Sequence, residues 1–166
     1  MSAPENFDEI YIDELKDLWS ANDQMNRVLK KLTSKASDPK LKEMLQKSHD
    51  GIEKHTAIVK ELIVAAGEKA SKEHCKGMEG LVAEAKAHCI EEAPKKGPLL
   101  DAIIIAQYQR MTHYGIAGFG TAAAYAEALG RSDDSAKLKE ATGEIYMGDE
   151  YMNRLSETVN AMAEKA

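Results

Sequence analysis

His55, His113, Glu144 and Asp149, with Tyr146 between the two acids, are the residue types that hold a divalent metal when they converge. His49 and Glu53 add two more candidates, four residues apart on the same segment. Imidazole and carboxylate together suit iron or a similar ion, and a site of that kind supports ferroxidase, peroxidase or oxygenase chemistry. A second candidate is the repeated pair His74-Cys75 and His88-Cys89, the two cysteines lying fourteen residues apart. A zinc site needs all four side chains on one point. Neither pair has CxxC or HxxxH spacing, and neighbours on a helix diverge by about 100°. The pattern reads as buried thiols beside exposed imidazoles. There is no Ser-His-Asp order, phosphate-binding loop or GxGxxG fingerprint, and neither cysteine carries the signature of a nucleophile.

Helices must position these groups. The chain of 166 residues is 43% hydrophobic and 30% charged, enough for one domain with a sizeable core. Its net charge of −6 argues against nucleic-acid binding, and the basic runs Lys30-Lys31 and Lys95-Lys96 read as solvated surface. No apolar run approaches the roughly 20 residues that span a bilayer. The N-terminus lacks the basic-then-apolar pattern of a signal peptide, so a cytoplasmic protein without membrane contact is expected.

Pro4, Pro39, Pro94 and Pro98 all fall between periodic segments, and Ala, Glu, Lys, Leu and Met dominate those segments. The pattern predicts long helices over about 6–35, 39–66, 99–129 and 133–164, and a short one over about 78–92. On the first, Tyr11, Leu15, Leu18, Met25, Leu29 and Leu32 recur at spacings of three and four, and Asn22 fills the one gap. Ser37 or Asp38 caps the second helix ahead of Pro39, and Gly67 and Gly130 mark helix ends. Helices of about 30 residues are ~45 Å long. Two pairs with short turns, joined by one long crossover bearing the small helix, form a single domain with the connectivity of a ferritin-like antiparallel four-helix bundle.

Such bundles hold metal with Glu and His projecting inward at mid-height from all four helices. At that height the inward positions are Asn22 on the first helix, Gly51 and His55 on the second, Thr112 and Gly115 on the next, and Ile145 on the last. His113 lies beside the third set, and Glu144 and Asp149 flank the fourth.

The segments Cys75-Lys-Gly-Met-Glu-Gly-Leu81, His113-Tyr-Gly-Ile-Ala-Gly-Phe-Gly-Thr121 and Leu15-Lys-Asp-Leu-Trp-Ser-Ala21 resemble the YciF/YciE-like family of ferritin-like proteins, and the likeness covers nearly the whole chain. That resemblance implies a bacterial, stress-associated bundle, a homodimer and a di-iron carboxylate site. Against the family's pattern, its ligand positions fall on Asn22, Gly51, Thr112, Gly115 and Ile145. Carboxylates crowded without a cation repel, so small or neutral replacements remove a liability once the metal is lost.

Three functions follow. The first is a structural or interaction role with no cofactor. The second is a metal-dependent oxidoreductase that holds iron or another divalent metal on the set His55, His113, Glu144, Tyr146 and Asp149. The third is small-ligand binding in the vacated centre, unless Met25, Met111, Met147 and Tyr146 fill it.

Overall fold

The structure, a computed structural model, describes residues 3–166. Four long helices form the bundle: α1 (Phe7–Lys35), α2 (Pro39–Ala65), α4 (Pro98–Ala128) and α5 (Ser132–Ala163). The crossover carries α3 (Lys76–Lys86), which runs on into a single π-helical turn, Ala87–Glu91. No strand occurs among the described residues.

The helix ends follow from their caps. Asn6 accepts a hydrogen bond from the Glu9 amide, and Asp38 accepts from the Lys40 and Leu41 amides with Pro39 behind it. Gly67 and Gly130 sit at φ of +86° and +72°, the left-handed conformation that ends α2 and α4. Helix α3 begins two residues before the apolar pattern predicts, because the Cys75 thiol accepts from the Met78 amide. The buried Asp101 carboxylate, near the start of α4, accepts from the Ser37 and Asp38 amides at 2.7 and 2.9 Å. It thereby pins the α1–α2 turn to the second helix pair.

Two apolar layers fill the bundle. One lies at the α1–α2 turn and takes in α3: Leu29, Leu32, Leu41, Leu45, Met78 and Ile104 are all buried. The other lies at the far end, around Tyr11, Leu15, Leu18, Val59, Ile63 and Phe119. Between them the chain places Asn22, His55, Thr56 and Thr112, all buried and polar. This waist is where the apolar stripes of α1, α2 and α4 are interrupted.

Candidate functional site

The waist is hollow. A cavity of about 360 Å³ lies there, and Asn22, Gly51, Thr112, Gly115 and Ile145 all line it. Each helix brings its residues by the same three- and four-residue spacing that fills the apolar layers. α1 contributes Asn22 and Met25, while α2 contributes Ser48, Gly51, Ile52 and His55. α4 contributes Tyr108, Met111, Thr112 and Gly115, and α5 contributes Glu144, Ile145 and Gly148. The opening lies between α2 and α5, where the exposed Glu43, Lys47, Met147 and Tyr151 form the rim.

Glycine makes the room. A Cβ built on Gly51 meets nothing within 4 Å, and one on Gly115 meets only Ile145 Cδ1 at 3.9 Å. Met25 and Met111 pack into the wall, but the expected filling by Met147 and Tyr146 does not occur. Met147 is 64% exposed at the rim, and Tyr146 is 55% exposed on the outer α4–α5 face. One step along the helix from Ile145 turns the Tyr146 ring about 100° away from the cavity.

The polar groups of the waist are largely matched with one another. Asn22 Nδ2 donates to Thr56 Oγ1 at 3.0 Å, whose hydroxyl donates to the Ile52 carbonyl. The Tyr108 and Ser48 hydroxyls lie 2.6 Å apart. Burial pushes the Tyr108 phenol up, against the opposing pull of its hydroxyl neighbours. At one edge a clasp joins α2 to α5: Lys54 Nζ donates to Glu144 Oε1 at 2.6 Å, and His55 Nε2 lies 2.7 Å from Glu144 Oε2. The Lys54 ammonium, and after it His55, holds the Glu144 carboxyl below the usual carboxylate range. The Thr112 hydroxyl, in a residue only 3% exposed, lies against Tyr108 and pulls on its phenol without forming a well-aligned hydrogen bond.

The candidate metal ligands do not assemble. His55 and Glu144 meet at the cavity edge. His113, with a side chain 59% exposed, pairs with Asp149 at 2.9 Å, and Gln109 donates to the same carboxylate at 3.1 Å. That second pair lies outside the cavity lining. His49 reaches Asp50 and Glu53 only at 3.5 and 3.7 Å, away from the cavity. Among the described residues, no three His, Cys, Asp or Glu side chains are grouped to hold a metal ion. A di-iron centre of the kind the resemblance implies does not fit this donor set. Its five positions offer one amide, one hydroxyl, two bare backbones and an alkyl chain.

The His-Cys pairs are separate as well. Cys75 and Cys89 are free and buried, while His74 and His88 face outward to Glu79 and Glu84. Burial raises both thiols, Cys89 to about 11. Cys75 Sγ lies 2.9 Å from the Tyr114 hydroxyl, which donates to Asp17 at 2.7 Å, so this cluster fastens α3 to α1 and α4. Burial pushes the Tyr114 phenol up. Sequence reasoning did not single out Tyr108 as part of the waist. The signal was present in its spacing, four before Thr112 and seven before Gly115.

Fold and site together define an all-α helical bundle with a hollow, polar-edged waist. The sequence pattern of the family DUF892, a domain of unknown function, matches residues 6–164, and the chain belongs to that family. It is 33% identical over 162 residues to the protein YciF of Escherichia coli strain K12, an alignment covering 95% of each chain. The crystal structure of the E. coli stress protein YciF superimposes with a TM-score of 0.88 at 28% identity, covering 95% of this chain and 99% of that one. YcfI of Rhodopseudomonas palustris, described as a candidate structural protein, matches with a TM-score of 0.84 at 28% identity, over 90% and 94%. Among the described residues no helix is long and apolar enough to cross a membrane.

Proposed function

We propose that this chain is a metal-free binding protein whose waist takes up a small, mostly apolar molecule. One observation carries the reading. The five mid-height positions converge on one cavity, yet none of them supplies a carboxylate or imidazole. The volume falls in the range of ordinary ligand pockets, about 300–1,000 Å³. Methionine and isoleucine walls with a few polar groups are the usual composition of such pockets. An oxidoreductase using the remaining histidines and acids has less support, because these residues form two separate pairs.

The test is a thermal-shift titration with naphthalene, comparing the wild type with Gly51→Leu, where the new side chain enters open space. A guest at a hundred times its Kd stabilises the native state by about 2.7 kcal/mol. A rise in Tm for the wild type and none for the filled variant supports the reading. Equal shifts in both proteins, or none in the wild type, overturn it.

A further inference from the structure

Another concavity opens on a different face of α1, and its lining shares no residue with the waist. It is a groove of about 980 Å³ between α1 and the crossover with α3. α1 lines it with Ser20, Gln24, Arg27 and Lys31, at spacings of four, three and four, and with Lys30 beside them. Lys72 of the crossover and Lys86 of α3 complete a border of cations, in a chain of net charge −6. Lys72 is paired with Asp23, but Arg27, Lys30, Lys31 and Lys86 meet no carboxylate within 4.0 Å among the described residues. The acids of the groove are Glu91 and Glu79, the latter held by His74 at 2.9 Å. The sequence segregates the charge as well. From Gln24 to Ser37 it has Arg27, Lys30, Lys31 and Lys35 and no acid, although acids outnumber bases 28 to 22 overall. The helix dipole accounts for Lys35 in the last turn of α1, but it fades well before Arg27. The floor offers little to an apolar helix, because Val28 and Val82 are only 1% and 8% exposed. Charge is therefore what the groove recognises. Arg27 and Lys31 stand one turn apart, ~6 Å at Cβ. A single small anion meets one of them; a chain of phosphates meets both. From Ser20 to Lys31 the groove follows ~16 Å of helix, the reach of one nucleotide rather than of a duplex.

We propose that the α1–α3 groove binds an oligophosphate chain, either free or as the tail of a nucleotide. The Arg27 guanidinium takes one phosphate through its fork of N–H donors, and the Lys31 and Lys86 ammonium groups close on the chain from the two helices. This site and the waist are independent, and neither reading depends on the other.

Calorimetry on the full chain tests this at low salt without added divalent metal, using tripolyphosphate, ATP and adenosine. Tripolyphosphate and ATP should each bind once per chain, and adenosine should not bind. Equal affinities for the first two assign the site to the phosphate chain alone, and tighter ATP assigns it to a nucleotide; both support the proposal. The double variant Lys31→Glu, Lys86→Glu should weaken ATP binding by more than about ten-fold, the worth of one charge-assisted hydrogen bond. The double variant Arg110→Glu, Lys165→Glu changes the net charge equally outside the groove and should bind as the wild type does. All four side chains are exposed, so both variants should fold. Adenosine binding as tightly as ATP, equal weakening in the two double variants, or no binding of either phosphate by the wild type overturns the proposal.

Discussion

A methyl group added at Gly118 would strike Leu18 Cδ2 at 2.5 Å, whereas one added at Gly115 would meet only Ile145 Cδ1 at 3.9 Å. These glycines lie three residues apart on α4, and they do opposite things. Gly118 belongs to the packed layer around Leu18 and Phe119, where the absent side chain lets α1 approach closely. Gly115 belongs to the waist, where the absent side chain leaves a void. Glycine in a helix costs about 1 kcal/mol relative to alanine. In the packed layer that cost is offset by contact; at the waist nothing in the protein offsets it. The comparison therefore separates the regions built for stability from the one that is not. Gly77 falls on the packed side, since its Cβ would meet the Tyr114 ring at 2.7 Å.

The largest expected effect comes from refilling the waist with charge. The quintuple variant Asn22→Glu, Gly51→Glu, Thr112→Glu, Gly115→Glu and Ile145→Glu brings five carboxylates to one cavity. Without metal they repel and are poorly hydrated, so the melting temperature should fall steeply. Iron(II) should restore it. A variant that stays folded but gains no metal would show that the five positions do not share a coordination centre.

Next in size is a truncation in the packed layers. Leu45→Ala, at a fully buried position, should cost about 2–5 kcal/mol in a denaturant melt. Met147→Ala, at the exposed rim, should change stability by less than about 0.5 kcal/mol. Comparable losses at both would erase the distinction between layer and waist.

The glycine contrast is smaller and reverses sign. Gly118→Ala should destabilise by about 1–3 kcal/mol through overpacking against Leu18. Gly115→Ala and Gly51→Ala should each stabilise by about 0.5–1 kcal/mol, because the helix gains propensity and the methyl enters open space. The same two substitutions should weaken guest binding. A gain of stability with unchanged affinity would place the guest elsewhere.

The smallest effect concerns the Glu144 clasp. The Lys54 ammonium and His55 hold this carboxyl below its usual range, so the native state takes up its proton less readily than the unfolded chain does. The clasp's contribution to stability is complete above the ordinary glutamate range, near pH 4, and is lost as pH falls through the lowered native value. Melting temperatures of the wild type and Glu144→Gln should differ most at neutral pH and converge on acidification. A gap that widens toward acid would mean that Glu144 is not held as an anion.

Much of this architecture was legible in the sequence because it rests on periodicity. Spacings of three and four placed Asn22 on the inward face of α1, and Asp38-Pro39 and Gly130 punctuate the helices where they end. The waist was less legible, because side-chain azimuth decides there. His113 follows Thr112 and Tyr146 follows Ile145, and one residue of helical rotation turns each outward. Asp149 is buried, but it faces His113 and Gln109 rather than the cavity. No single-helix pattern reports that choice, since it depends on how α4 and α5 are rotated against each other. Whether a void at the waist would be filled was equally hidden. Met147 could have turned inward by its chemistry, yet its position on α5 puts it at the rim.

The most direct test of the metal-free reading of the waist is the metal content of the wild-type protein after anaerobic equilibration with iron(II) and desalting, read by elemental analysis. The expected result is a small fraction of one metal per chain. One or two tightly held metals per chain would contradict the account and return the waist to the oxidoreductases.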